Sequence, residues 1–481
     1  MRASGLSRSA IRRGGDPVGG DGARVSAESW DDRYEFTSTK LQEFPLPAEL
    51  PADRGALLDS LATTLSEVSP SRSVHVFAAT EPSESLAASL KVAHAKWTAT
   101  WEHMIFEQEE LDWASYAAYG LLDQTYTYGS SEDLGVLNLG ERAFEIHLAR
   151  QIELGLAKSA WFERHKTVPQ TSIPSSWPDD YKDLVQRRLQ AIEDNPHIQL
   201  LERPEFKRRW ATEPWDLQQQ RALRELVLDR LEDASLWSDP QGASCKSVAQ
   251  LADAARHDAV LVEALQVLAG STHVELVPAL TSLLSEEAVP YLAQHRYKES
   301  GLTKYRGWQA VWDLQRREDS GEKVDVPVPP KYKPVDFQKT SYWQARGKLD
   351  VPKERFISFP GLLRSGDTTP VFGWAGWDHA TAALALARAT VELDAEGATP
   401  EQLKPMLAGL HELEPWVIQW HSDVDPAMGS SPAAAITGML DSYLSRLALT
   451  RADLTNWRPA ASTVRGRRRN NASVEDTETL V

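Results

Sequence analysis

HMIFEQEELDWASYAAYGLLD, residues 103–123, is the stretch on which the fold turns. Apolar and aromatic residues recur at helical spacing among acids, and Gly120 stands where a helix would end. The pattern predicts an amphipathic helix inside a longer Ala-, Leu-, Glu- and Trp-rich segment, 84–122.

Working outward, PADRGALLDSLATTLSEVSP (51–70) carries apolar residues at helical spacing and is bounded by prolines. Before it, WDDRYEFTSTKLQEFPLP (30–47) alternates aromatic and polar residues and reads as a short strand and turn. Downstream, LGERAFEIHLARQIELGLAKSAWFERH (139–165) is helical, and prolines at 169, 174 and 178 interrupt it. Helical groups then continue to Arg317 without a fixed repeat of 30–45 residues, so no solenoid is expected. EDSGEKVDVPVPPKYKPVDF (318–337) has prolines at 327, 329, 330 and 334 and no helical period, the texture of an extended linker. Beyond it ERFISF (354–359) and TPVFGW (369–374) are strand-like. HATAALALARATVEL (379–393) is a helix that Asp378 could cap. Pro400–His421 and Pro432–Leu449 add two more helices.

The expected fold is therefore mainly α, with helical spacer or bundle regions and a small α+β C-terminal domain, and no complete Rossmann core. The expected divisions are a disordered 1–29, a mixed 30–128, a helical 129–317, a linker 318–340, a C-terminal domain 341–459 and a disordered tail 460–481.

Composition narrows the function. Acids outnumber bases 69 to 52, and the net charge is -17, so a nucleic acid could be met only through a local basic surface. Cys245 is the single cysteine; it excludes a disulfide framework or multi-cysteine metal site and suggests a reducing compartment. No apolar run approaches the roughly 18–20 residues of a membrane span. The arginine-bearing N-terminus lacks an apolar core behind it, so a cytoplasmic protein is expected. The 17 tryptophans against 11 phenylalanines mark packed interfaces or stacking platforms.

Catalytic motifs are incomplete. GWAGWDH (373–379) has two glycines, but aromatics fill the space a phosphate would need. Amino-methylation of bases uses an N/D/S-P-P-Y/F loop, and neither DNPH (194–197) nor VPPKY (328–332) has that order. Asp179, Glu205 and Lys207 match the spacing of a magnesium nuclease, a short pattern that chance supplies and that would need strands here. The histidines form no metal-binding spacing; His411 and His421 flank Trp416 and Trp420 in HELEPWVIQWHSD. Basic residues do cluster with rings in RPEFKRRW (203–210), RYKESGLTKYRGW (296–308) and YWQARGKLDVPKERF (342–356). Such sets suit phosphate contact and base stacking as well as salt-bridged helix faces. The candidates are Lys207, Arg208, Arg209, Trp343, Arg346, Lys348, Lys353 and Arg355.

Taken in order, YEFTSTKLQEFPLP, QEELDWASYAAYGLLD, LGERAFEI, ERPEFKRRWATEPW, WDLQRREDSGE, VPVPPKY, YWQARGKLDVPKERFISFPG and GWAGWDH resemble the C-terminal half of the PglX family. These are the large adenine-specific DNA methyltransferases of BREX phage-defence systems, and the likeness is closest to their type 2 branch. It runs from Trp30 to Pro459, with YEFTSTKLQEFPLP resembling the end of the recognition region. The resemblance implies double-stranded DNA, a catalytic methyltransferase half or other BREX proteins as partners, with no membrane. S-adenosylmethionine would be the cofactor of the full-length family, not of this chain, whose catalytic half is expected to be missing. An accessory role in DNA recognition or assembly follows. The alternatives are a residual nuclease and a non-functional remnant.

Overall fold

The computed structural model describes residues 38–80, 84–129, 136–345, 353–426 and 429–459. Both expected disordered termini, and the candidates Arg346 and Lys348, lie outside them. The chain divides into two compact units, 1–223 and 224–481.

The first unit is helical. It contains α1 (Ser38–Gln42), α2 (Ala52–Glu67), α3 (Pro70–Ala79), α4 (Leu86–Ala118), α5 (Ala143–Glu153), α6 (Trp161–His165), α7 (Asp179–Asp194) and α8 (Pro196–Leu201). Residues 38–42, expected in a strand and turn, are helical. The spine is α4, 33 residues and thus about 50 Å long. The Ser85 side chain caps its first turn, and Gly120, at φ +67, follows its end in the left-handed conformation glycine tolerates. Helices α2 and α3 pack on it.

The expected amphipathic pattern of α4 is only half the story. Its acids Glu107, Glu109 and Glu110 are as buried as its neighbours Ile105, Phe106 and Trp113. Each carboxylate is met by donors from distant sequence. Glu107 takes Arg54 at 2.6 Å. Glu109 accepts from the Trp113 indole and the Ala143 backbone, both at 3.1 Å. Glu110 accepts from the Tyr128 backbone at 2.6 Å and from Arg188 at 2.7 Å. Arg188, on α7, is fully buried; its guanidinium also donates to the Tyr126 carbonyl and lies 5.3 Å from the Trp113 ring.

The boundary between the units falls within α9 (Trp215–Leu231). The second unit adds β1 (Ser238–Asp239), β2 (Gly242–Ala243), β3 (Lys246–Ser247), α10 (Val248–Ala255), α11 (Ala259–Ala269), α12 (Leu276–Glu287), β4 (Ala288–Pro290), α13 (Ala293–Arg296) and α14 (Glu299–Asp319). After these come α15 (Thr340–Gln344), β5 (Phe356–Ser358), β6 (Val371–Trp374), α16 (His379–Ala395), α17 (Pro400–Trp420), α18 (Pro432–Leu447) and α19 (Arg451–Thr455). Asp378 caps α16 as expected, accepting from Thr381 N at 2.7 Å.

A four-stranded sheet runs β3-β6-β5-β4, antiparallel except for the parallel pair β4–β5. Two of its strands come from the region read as wholly helical, 84–317. Strands of two and three residues are too short to leave an alternating pattern. Over the sheet, α16, α17 and α18 bury Leu386, Leu407, Leu410, Ile436 and Leu440. The fold is mainly α with a small α+β part. That part draws β3 and β4 from upstream of the proline-rich segment. The end of that segment is anchored rather than free: Phe337 and Asp336 are buried, and Asp336 accepts from Lys304 at 2.6 Å and Ser300 at 2.8 Å. No helix among the described residues is long and apolar enough to cross a membrane.

Two stability predictions follow from buried charge. Arg188→Ala leaves Glu110 buried without its cation and should cost about 3–5 kcal/mol, read from the urea midpoint. A loss under about 1 kcal/mol, ordinary for an exposed pair such as Arg317–Glu322, would refute that role. In the second unit burial raises the Glu414 carboxyl, but hydrogen bonds from His411 and Arg451 outweigh it and hold it at about 2. A lowered folded pKa stabilises above the unfolded value and is lost as pH falls toward the folded one. Glu414→Gln should therefore cost up to about 3 kcal/mol at pH 7, with the gap to wild type closing between pH 4.5 and 2. Urea titrations across that range check it; a pH-independent gap would show that packing, not charge, is what the substitution removes.

Candidate functional site

The sequence places rings and charges in five separate stretches of the second unit, and the fold brings them to one cleft of about 430 Å³. Helix α14 presents Tyr305 and Trp308 one turn apart, hence on one face. Helix α17 presents Glu412 and Trp416 at i and i+4. Strand β4 and the residues after it contribute Val289, Tyr291, Arg296 and Tyr297, and β5 with its flanks contributes Glu354, Ile357 and Phe359. Trp377, Asp378 and His379 come from the entry to α16, and Tyr332, Phe337 and Tyr342 from the proline-rich segment and α15.

The rings support one another. Tyr297 lies between Tyr305, at 5.6 Å and 27°, and Tyr332, at 5.3 Å and 23°. Tyr305 stacks toward Trp308, which meets Trp416 at 5.7 Å. Trp416 in turn stacks with His379 at 5.4 Å and 16°. A sealed dry void of this volume would cost on the order of 10 kcal/mol. That approaches a whole domain's stability, so a native chain keeps such a space only where solvent or a ligand fills it.

The polar lining centres on Glu412. Its carboxylate accepts from Ala293 N at 3.0 Å, from Arg296 at 3.3 Å and from the Tyr305 hydroxyl at 3.4 Å. Burial raises its pKa against the pull of Arg296. Burial and Glu412 together push the Tyr291 and Tyr305 hydroxyls up. His379 is lowered by burial and by His421. Arg296 faces the Tyr297 and Tyr305 rings at 5.6 and 5.8 Å, and its buried Nε has no hydrogen-bond partner among the described residues.

Three glycine contacts explain local sequence. A Cβ on Gly301 would sit 2.3 Å from the Asp336 carbonyl, so glycine here lets residues 332–337 close on α14. In GWAGWDH, a Cβ on Gly373 would meet Trp377 at 2.5 Å, and one on Gly376 would meet Trp374 at 2.4 Å. Those glycines make room for indoles. The residues present do not fit a phosphate- or nucleotide-cofactor loop at this turn.

The basic candidates fall into three groups. Lys207 is buried in the first unit: its ammonium bonds Glu202, Asp112 at 2.9 Å and the Tyr116 hydroxyl at 3.0 Å, and these acceptors hold it cationic against burial. Its charge is thereby directed inward. Arg355 bonds Glu225, Asp229 at 2.6 Å and Glu232 at 2.9 Å. Arg208, Arg209 and Lys353 are exposed, with the Arg208 guanidinium 4.4 Å from the Trp210 ring. Trp343 is half-buried against Phe337 at 5.5 Å. As for the nuclease set, Asp179 begins a helix and bonds Lys182 at 2.7 Å, and Glu205 sits in a 3-10 turn. The strands that chemistry needs are absent there. Among the described residues no group of three or more His, Cys, Asp or Glu is arranged to hold a metal ion. Cys245 is buried, and burial pushes its thiol up to about 12, away from thiolate character.

With this geometry in hand, the sequence comparisons place the chain. It belongs to the family described as a domain of unknown function, DUF7008, whose profile matches residues 104–469. It is also similar to the adenine-specific methyltransferase PglX of Streptomyces coelicolor, at 44% identity over 467 residues. That match covers 95% of this chain and 38% of the relative's length, consistent with a C-terminal part, so the resemblance drawn from the motifs holds. No solved structure matches significantly.

Gly301→Ala should force the Asp336 carbonyl away from α14 and cost about 1–3 kcal/mol, measured as a fall in Tm and in the urea midpoint. An unchanged midpoint would mean that residues 332–337 do not depend on this close approach.

Proposed function

We propose that this chain is the C-terminal accessory portion of a BREX-type adenine-specific DNA methyltransferase, acting in DNA recognition or complex assembly during phage defence in the cytoplasm. The similarity to PglX, extending over 95% of the chain, is the observation that carries this reading. The methyl transfer itself, with S-adenosylmethionine as donor, falls to parts of such an enzyme outside the matched 38%. The turn at GWAGWDH, whose glycines are occupied by indoles, supports this division.

On the recognition side, Arg208, Arg209 and Lys353 supply exposed cations for duplex phosphates, and Arg346 and Lys348, outside the described residues, are further candidates by sequence. Trp343, packed against Phe337, is the ring of the 342–356 cluster. Lys207 and Arg355 act indirectly, by holding the local backbone through their carboxylate partners. Phosphate contacts of this kind position a protein on DNA without reading its sequence. A whole-chain charge of -17 requires that they be local. The assembly half of the reading pairs this chain with a catalytic methyltransferase partner or another BREX protein.

Gel shifts with a duplex oligonucleotide at low and moderate salt test the DNA half. The Arg208→Ala, Arg209→Ala double variant should weaken binding across sequences and reduce the salt slope by about 2, roughly one per lost contact. No shift at either salt would remove DNA contact from the proposal. Co-purification with a catalytic methyltransferase chain then decides the assembly half.

A further inference from the structure

The aromatic cleft has a sign as well as a shape. Three carboxylates line it, Glu354, Asp378 and Glu412, against one guanidinium, Arg296. Glu412 and Arg296 are bonded to each other at 3.3 Å, so Glu354 and Asp378 leave the lining net negative. His379, lowered by burial and by His421, is neutral at pH 7 and does not offset them. An anion entering there would meet more carboxylate than guanidinium. A metal ion is no better matched, since among the described residues no three His, Cys, Asp or Glu are arranged to hold one.

The rings carry the same sign. An aromatic face is the negative end of the ring's quadrupole and draws a cation lying within about 6 Å of the ring centre. The protein's own guanidiniums already use this on the walls of the cleft. Arg296 lies 5.6 and 5.8 Å from the Tyr297 and Tyr305 rings, and Arg316 lies 4.5 Å from the Trp416 ring. Trp308 and Trp377 line the same space, and among the described residues no cation lies over either. A volume of about 430 Å³ admits a substituted ammonium or a guanidinium together with its stem. Ring faces bury the alkyl groups or the guanidinium plane, and carboxylates balance the charge.

We infer that the cleft between α14, α17 and the entry to α16 binds an organic cation, an alkylated ammonium or a guanidinium, packed on Trp308 and Trp377 and balanced by Glu354 and Asp378. The site stands on the geometry of the second unit and is independent of the function proposed above.

The cation comes either from a free small molecule or from a polypeptide side chain, and this chain has a source of the second kind. Arg458 bonds Glu299, the first residue of α14, at 3.3 Å. The run RGRRR (465–469) begins seven residues further on, a span of up to about 23 Å when extended. From Glu299 to Trp308 the helix rises about 14 Å. Arg465 is therefore within reach of the cleft.

Ligand-observed NMR titrations of the full chain test the charge. Choline is compared with its neutral carbon isostere, and the peptide TVRGRRRN (463–470) with the same peptide carrying citrulline for arginine. The charged member of a pair should bind about tenfold tighter. A preference in the choline pair alone assigns a free ammonium; one in the peptide pair assigns a guanidinium borne by polypeptide. A chain with Arg465, Arg467, Arg468 and Arg469 all changed to Ala is titrated alongside. A preference seen only with that variant means that the chain's own arginines fill the cleft, and it too supports the inference. Glu354→Gln combined with Asp378→Asn should remove the preference. Asn caps a helix as Asp does, so this double variant should keep the wild-type Tm. If it fails to fold, Trp308→Leu carries the test and should weaken the charged ligand. Equal binding within both pairs, by the full chain and by the arginine variant alike, overturns the inference. So does a preference that persists in the double variant or, where that does not fold, in Trp308→Leu.

Discussion

Buried carboxylates set the terms for the first unit. A glutamate removed from water without a partner costs several kcal/mol, yet α4 buries Glu107, Glu109 and Glu110 within one turn. Each needs a hydrogen-bond donor from elsewhere in the chain, and the donors come from Arg54, Ala143, Tyr128 and Arg188. These lie between 18 and 78 residues away in sequence. The requirement therefore orders α2, α5, α7 and the loop at 126–128 around the spine more strictly than an apolar face could. Apolar contacts are non-directional and tolerate slippage, whereas a 2.7 Å bond from Arg188 to Glu110 does not. The same logic recurs at Arg142 and Glu145, a buried pair at 2.8 Å that also receives the Trp161 indole.

The second unit solves a different problem, that of keeping a wide aromatic space open. Rings left to themselves would collapse into it. They are held by neighbouring groups: Tyr297 stacks with Tyr305 and Tyr332, Trp416 meets the Arg316 guanidinium at 4.5 Å, and Tyr291 meets Phe359 at 5.0 Å. Glycine enters where backbone or ring must come closer than a Cβ allows, as at Gly301 and at Gly409, where a methyl would reach Tyr291 at 2.5 Å. The sheet strands are short, but they tie β3 and β4 to β5 and β6 and so fix the far wall.

Much of this was legible in the sequence, and the rest failed for identifiable reasons. Long helices were readable because α4, α16, α17 and α18 each repeat an apolar pattern over several turns, and Asp378 announced a cap by its residue type. The two-residue β3 and three-residue β4 were not, since they are defined by pairing partners more than 60 residues away. Prolines at 327–334 read as a free linker because composition reports local stiffness and says nothing of Asp336 being taken up by Ser300 and Lys304. Lys207 looked like a phosphate ligand by its neighbours in sequence, and its neighbours in space are acids. For the cleft, each stretch that supplies a wall (RYKESGLTKYRGW, VPPKY, ERF, GWAGWDH and HELEPW) stood out alone and carried too little on its own. What no one-dimensional reading supplies is that they meet.

An acidic chain is compatible with the proposed nucleic-acid contacts provided those contacts are local. Net charge governs long-range approach, while a pocket is governed by the groups within a few ångströms, where screening is weak. Under the proposed function, exposed arginines such as Arg208 and Arg209 would meet phosphate at short range. The chain's charge of -17 would at the same time discourage retention on arbitrary duplex.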